Sequence, residues 1–263
     1  MAARAESARI EAVSTSRANS LRHIRPVQPL HFPEQEPLDE HMGQGRRHHR
    51  LCEALYQIVR AAVGLGHTVG ADQFVYFDGA NPKRCLAPDA FVTLDAPDHD
   101  FDSYLVWEEG TPHLAFEVLS PSDTPERWTF EQKLRRYHSL GVRELVTFHV
   151  DAPPGQRLRV WDRLEHDLVE RVVEDERTPC VTLGLTLLIA PVAVDPELEY
   201  PACLRLARDA EGRDLFFTPE ERARRESENA RRESENARRE SENARRAEAR
   251  IAELERQLDG DRR

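Results

Sequence analysis

The alternation of apolar and polar positions divides the chain into three parts. Residues 1–40 are largely polar and carry prolines at positions 26, 29, 33 and 37, which predicts a disordered leader. Residues 41–217 contain apolar residues at helix and strand spacings, which predicts a folded domain. Residues 218–263 are almost entirely polar and contain a seven-residue repeat, which predicts one long helix.

The folded part is predicted to begin with a helix over about residues 47–63, because Leu51, Leu55, Ile58 and Val59 recur at helical spacing. The strands predicted after it are 74–77 and 90–94, joined as a hairpin through a turn at 78–82, and then 113–119, 144–150, 158–161, 168–173 and 181–187.

The run 113–119 is mostly apolar, which is typical of a strand at the centre of a sheet. Ser122 to Pro125 can cap a following helix, and Gly141 can end it in the left-handed conformation. The next strand completes a strand–helix–strand unit. The order of elements therefore predicts an α/β fold with a central mixed sheet flanked by helices.

The C-terminal helix has a good start at Thr218-Pro219, and the heptad Ala-Arg-Arg-Glu-Ser-Glu-Asn begins at Ala223, Ala230 and Ala237. Apolar pairs occupy the a and d positions only in the last two heptads, so the seam is that of a weak coiled coil. The helix is either a solvated spacer or an arm for docking or homo-oligomerisation.

Composition narrows the class of protein. No run of 18 apolar residues occurs and the first 20 residues lack the apolar core of a secretory signal, so we expect no membrane span. The Ala, Arg and Ser content of the leader suits either an organellar transit peptide or a bacterial leader. Four scattered cysteines without a C-x-x-C pair indicate reduced thiols in a cytoplasmic protein.

The net charge of −11 argues against a protein that coats nucleic acid nonspecifically. The tail from residue 221 onward is nearly neutral, so the body carries the acidic excess. Any DNA that binds the body therefore needs a local basic patch, because the overall field repels phosphate.

Lysine is scarce in this chain, which has 35 arginines and two lysines, and Lys133 follows two carboxylates in sequence. Asp89 comes directly after Pro88 at the start of a predicted strand. Glu117 interrupts an apolar strand, where an unpaired carboxylate is unfavourable. A retained lysine offers a compact ammonium where guanidinium is less suitable.

Two carboxylates and a lysine are the minimal equipment of a magnesium-dependent phosphodiesterase. If the strands that carry Asp89 and Glu117 are neighbours, both carboxylates and the main-chain carbonyl of Val118 can hold Mg²⁺ or Mn²⁺. Lys133 and Tyr137 share a helix face, where the ammonium can stabilise the attacking hydroxide or the phosphoryl group.

Each residue also has an ordinary structural explanation. A buried glutamate is often the partner of an arginine or an amide, and Pro-Asp often only starts a strand. A helical lysine is usually solvated along its stem. The ordered combination of the three on strand, strand and helix favours the functional interpretation as strongly as the structural one.

The segments Leu86 to Val92 and Phe116 to Ser122, together with Lys133, Tyr137 and Gly141-Val142, resemble the Uma-two family. These are restriction-endonuclease-like proteins of the PD-(D/E)XK superfamily. The resemblance implies a restriction-endonuclease-like core over about residues 48–188, metal ligands at Asp89 and Glu117, and a lysine displaced from the strand to the helix.

The resemblance also suggests an acid on the approach to or within the first helix, for which Glu40 and Glu53 are candidates, and a histidine at the mouth of that helix, which His48 matches. A capping or surface role fits His48 equally well. We therefore expect a metal-dependent endonuclease that hydrolyses DNA through a metal-activated water. The alternatives are an RNA or nucleotide phosphodiesterase with the same site, and an inactive scaffold that assembles through its C-terminal helix.

Overall fold

The structure, a computed structural model, describes residues 45–119, 129–195 and 197–260, with side chains up to residue 251. The predicted leader over residues 1–40 and the predicted cap at Ser122 to Pro125 lie outside the described residues. Within them, no helix is both long and apolar enough to cross a membrane.

Four helices and twelve strands make up the described chain. The helices are α1 (Arg46–Val63), α2 (Val106–Glu109), α3 (Phe130–Leu140) and α4 (Pro219–Gly260). The strands are β1 (Thr68–Gly70), β2 (Val75–Tyr76), β3 (Cys85–Leu86), β4 (Ala90–Thr93), β5 (Tyr104–Leu105), β6 (Leu114–Leu119), β7 (Glu144–His149), β8 (Leu158–Leu164), β9 (Asp167–Arg171), β10 (Arg177–Cys180), β11 (Leu185–Asp195) and β12 (Leu198–Ala207).

The main sheet has six strands in the order β1-β4-β6-β7-β8-β9, and only the β6–β7 pair is parallel. Strand β6 is third of the six, so its predicted central position is confirmed. Its alternate residues enter two separate cores. Phe116 and Val118 pack with α1 and the β10-β11-β12 sheet, whereas Ala115 packs with α3. Burial on both faces explains why the strand is apolar.

The α/β fold with a mixed sheet, flanking helices and a C-terminal helix is confirmed, but the predicted hairpin between 74–77 and 90–94 and the first half of the predicted strand 181–187 are wrong. Strand β2 pairs with β3 and β5, and β4 joins the main sheet between β1 and β6. The chain after β2 turns back before it reaches β4, because the Phe77 amide donates to the Arg84 carbonyl. Strand β3 therefore takes the place beside β2 that the prediction gave to residues 90–94. In the predicted strand 181–187, residues 181–184 form a turn that ends at left-handed Gly184.

Helix α3 has well-defined ends. The Thr129 hydroxyl accepts from the Gln132 amide, and the Gln132 side chain accepts from the Thr129 amide, which forms a capping box. Gly141 ends the helix in the left-handed conformation, as the sequence predicted. Two defined ends fix the rotation of α3, and therefore the direction in which Lys133 and Tyr137 point.

The first turn of α4 is built into the folded body. Thr218 and Glu221 cap the helix reciprocally, and the Glu221 carboxylate also binds the buried Arg205 of β12. From Arg224 to Ile251 the side chains of α4 are exposed. With 42 residues, the helix is about 63 Å long at 1.5 Å per residue.

Replacing Gly70 by alanine is expected to destabilise the protein, because Gly70 lies opposite Phe91 and a methyl group there would overlap the buried Phe91 ring. Overpacking of this kind costs about 1–3 kcal/mol. Gly79→Ala is the matched control, since its methyl group would make only ordinary contact with Trp107. Chemical denaturation of both variants is the measurement, and equal midpoints would contradict the expectation.

Candidate active site

Glu117 lies on β6 with its side chain directed at α3. The Lys133 ammonium Nζ donates to Glu117 Oε2 at 2.6 Å, and the Tyr137 hydroxyl donates to Oε1. The glutamate is 4% exposed and the lysine side chain 15% exposed. The predicted helix face is therefore the one that meets the carboxylate, and the scarce lysine does not point into bulk solvent.

Asp89 reaches the same strand from β4. Ala90 pairs with Phe116, and one residue before this pair the Asp89 carboxylate Oδ2 accepts the Val118 amide at 2.6 Å. Asp89 directly precedes β4, so its side chain takes the place of a backbone partner along the edge of β6. The two predicted strands are neighbours, and Asp89 contacts the residue that directly follows Glu117.

Helix α1 brings two further side chains to Asp89. His48 is buried, and its Nε2 lies 3.5 Å from Asp89 Oδ1. Cys52 follows one turn later, and single donor atoms of His48, Cys52 and Asp89 all lie within 4.8 Å of one another. Gly45 is the N-cap of α1, so a capping role for His48 is wrong. Sequence reasoning missed Cys52, although the i, i+4 spacing from His48 was a usable signal.

Asp72 is a second residue that sequence reasoning missed. It has a left-handed backbone with φ 56°, and its amide donates to the Pro88 carbonyl at 2.9 Å. This contact places it beside Asp89. Burial raises the pKa of the Asp72 carboxyl, and the charge of Asp89 raises it further.

Glu53, the predicted accessory acid, does not join this group. Its side chain is exposed and lines a different cleft, with Arg50, Ala193 and Glu220. The reason is helical rotation: residues 48 and 52 share a face of α1, and residue 53 is turned about 100° away from residue 52.

Burial and charge crowding set the electrostatics of the site. Desolvation raises the pKa of Glu117 to about 7; Lys133 opposes the rise, and the Asp89 charge adds to it. Burial and the neighbouring Asp89 likewise raise the pKa of the Cys52 thiol. Buried carboxylates so close together favour the arrival of a compensating cation.

The Glu117 pKa predicts a pH dependence for the metal-free protein. A carboxyl with a raised pKa in the folded state keeps its proton longer than in the unfolded chain, so stability is lost as the pH rises from about 4.5 through about 7. Over that window the wild type is expected to lose about 1–3 kcal/mol more than Glu117→Gln. Denaturation in a chelator measures the difference.

Glu131→Gln is the matched control for this experiment, because Glu131 is an exposed carboxylate on α3 that pairs with Arg135. It is expected to keep the wild-type slope of stability against pH. The same slope in Glu117→Gln as in the wild type would contradict the expectation.

The fold defines the broad class of protein: an α/β domain with a central mixed sheet flanked by helices. Residues 35–193, more than half of the chain, match the sequence profile of a family described as "Uma2: Putative restriction endonuclease". The chain belongs to this Uma2 family, as its motifs predicted.

A solved structure is also similar to this chain. It is entitled "Crystal structure of a putative nuclease belonging to DUF820 from Anabaena variabilis ATCC 29413", and the match covers 58% of this chain and 82% of that one. The two sequences are 14% identical, and the TM-score is 0.41. No curated protein sequence matches the chain.

Proposed function

We propose that this protein is a divalent-metal-dependent endonuclease of the PD-(D/E)XK type that hydrolyses phosphodiester bonds in DNA. One observation carries the proposal: the Lys133 ammonium contacts Glu117, while Asp89 binds the backbone amide of the next residue, Val118. Two acids and a lysine from three separate parts of the fold thus lie in one buried site. The Uma2 membership supports the nuclease class.

The donors around Val118 suit a hard cation. Asp89 and Glu117 offer carboxylate oxygens, which keep lone pairs beyond their present hydrogen bonds. The Val118 carbonyl is expected at the same strand edge as its amide, because a residue in a β-ladder presents both groups to one neighbour. These three residues would hold Mg²⁺ or Mn²⁺. A cation there supplies activation of the attacking water and stabilisation of phosphoryl charge.

Lys133 and Tyr137 have separate tasks in this proposal. Tyr137 holds the Glu117 carboxylate in one orientation through its hydroxyl. Lys133 keeps a positive charge at the mouth of the acidic pair, where a phosphate must approach. An ammonium fixed before the reaction stabilises the developing negative charge without reorganisation.

A cleft of about 890 Å³ opens on the Glu117 face of the main sheet. Its lining includes Thr147, which lies beside Glu117 in the β6–β7 register, and the oppositely charged Arg159 and Glu170. In this proposal a strand of nucleic acid approaches along this cleft, which borders Glu117 through Thr147 but is not itself lined by Asp89, Glu117 or Lys133.

Incubation with supercoiled plasmid, single-stranded DNA and RNA in Mg²⁺ or Mn²⁺ tests the proposal. We expect nicking of plasmid DNA that stops when the metal is chelated. Cleavage of RNA alone would support the alternative phosphodiesterase. Absence of cleavage of every substrate with either metal would contradict the nuclease.

The exposed length of α4 favours a second candidate function, a scaffold that assembles through this helix. A truncation that separates the two candidates must keep Glu221, since this residue binds the buried Arg205. Removing residues 230–263 satisfies that condition. A nuclease is expected to keep its cleavage rate, whereas a scaffold is expected to lose its assembly in sedimentation experiments.

A further inference from the structure

Three donor atoms of different chemical kinds meet where α1 crosses the start of β4. They are an imidazole nitrogen of His48, the thiol sulfur of Cys52 and a carboxylate oxygen of Asp89. His48 and Asp89 are buried and Cys52 is half-buried. The group is distinct from the all-oxygen set of Asp89, Glu117 and Val118, with which it shares only Asp89.

The spacing suits a small tetrahedral ion. Zinc binds nitrogen and oxygen at about 2.0–2.2 Å and sulfur at about 2.3 Å, which places neighbouring ligand atoms about 3.3–3.8 Å apart. The His48 Nε2 to Asp89 Oδ1 distance is 3.5 Å, and no pair within the trio is more than 4.8 Å apart. Small side-chain rotations are enough to close the set around one ion.

The supporting structure is already rigid. His48 and Cys52 are one turn apart on an 18-residue helix, and the other oxygen of Asp89 is held by the Val118 amide. Hydrogen bonding to the far side of a ligand orients it and tightens metal sites. Two of the three ligands are thus fixed by a helix and the third by the sheet.

Mixed nitrogen, sulfur and oxygen donors select for particular ions. Thiolate and imidazole prefer zinc, cobalt and related transition metals, whereas Mg²⁺ and Ca²⁺ prefer oxygen alone. We propose that His48, Cys52 and Asp89 form a second metal site, which binds a zinc-class transition-metal ion and clamps α1 to β4. Binding replaces the thiol proton of Cys52, which is released to solvent.

Titration of the full-length protein with Co²⁺ tests the site without any assay of catalysis. Cobalt bound to a cysteine thiolate gives a sulfur-to-metal charge-transfer absorption, which oxygen-only sites lack. The wild type is expected to develop this absorption at one equivalent. In Cys52→Ser the absorption is expected to disappear, and in His48→Ala the Kd is expected to rise at least about tenfold.

Cys85→Ser is the matched control, because Cys85 is another half-buried thiol and lies on β3, outside the trio. It is expected to behave as the wild type. Zn²⁺ at about one hundred times its Kd is expected to raise the melting temperature of the wild type and the control by about 5–10 °C, but not that of Cys52→Ser.

Absence of the absorption in the wild type, or its persistence in Cys52→Ser, would overturn the proposal. His48→Ala provides the same decision if Cys52→Ser fails to fold, since an unchanged Kd there would also overturn it. Neither result bears on the oxygen site, and a protein that cleaves no nucleic acid can still bind cobalt through Cys52.

Discussion

Lys133→Met is expected to slow metal-dependent DNA cleavage by about 10²–10³-fold, which is the usual cost of removing one preorganised charge that stabilises a transition state. The fold should survive the change, because the methionine keeps the apolar stem and Glu117 can protonate when its partner is lost. Single-turnover cleavage at saturating Mg²⁺ measures the loss in the chemical step.

The chain provides its own control for this experiment. Its other lysine, Lys83, is exposed, and Lys83→Met removes the same charge from the molecule without touching Glu117. Lys133→Arg separates shape from charge, because it keeps the positive charge beside Glu117 Oε2 but replaces a compact ammonium with a wider, planar guanidinium. Equal rates in Lys133→Met and Lys83→Met would remove Lys133 from the catalytic group.

The centre of the fold was predictable because its signals are local. Strand β6 is an apolar run and α3 ends at a glycine, so both follow from short stretches of sequence. The pairing of β2 was not predictable in the same way. Two-residue strands carry almost no periodicity, and the partner of β2 depends on where the chain reverses near Asn81.

The residues of the candidate site also differ in whether their signals are local. Glu117 and Lys133 could be found because each breaks a local pattern, an apolar strand in one case and an arginine-rich composition in the other. Cys52 and Asp72 break no pattern, and only the packing of α1 and the Pro88 contact bring them to Asp89. The i, i+4 spacing places Cys52 on the same helix face as His48, but the approach of that face and of Asp72 to Asp89 is a long-range contact that spacing does not encode.

Arg205→Ala is expected to be the most destabilising of these substitutions, because Arg205 is 1% exposed and its guanidinium is held by both carboxylate oxygens of Glu221 at 2.8 Å. It also donates to the carbonyls of Pro191 and Phe216. Removing one partner leaves the other charge and two carbonyls without compensation, which costs about 3–5 kcal/mol. The melting temperature should therefore fall by roughly 6–20 °C.

Arg208→Ala is the control, since Arg208 lies three residues further on and forms an exposed pair with Asp214 at 3.0 Å. Exposed ion pairs contribute at most about 1 kcal/mol to the free energy of unfolding, so the melting temperature of this variant should be close to that of the wild type. A small loss in Arg205→Ala, no larger than in the control, would mean that the first turn of α4 does not depend on Glu221. A large loss would instead show that α4 is anchored in the body by one buried ion pair, so any movement of the arm begins beyond Glu221.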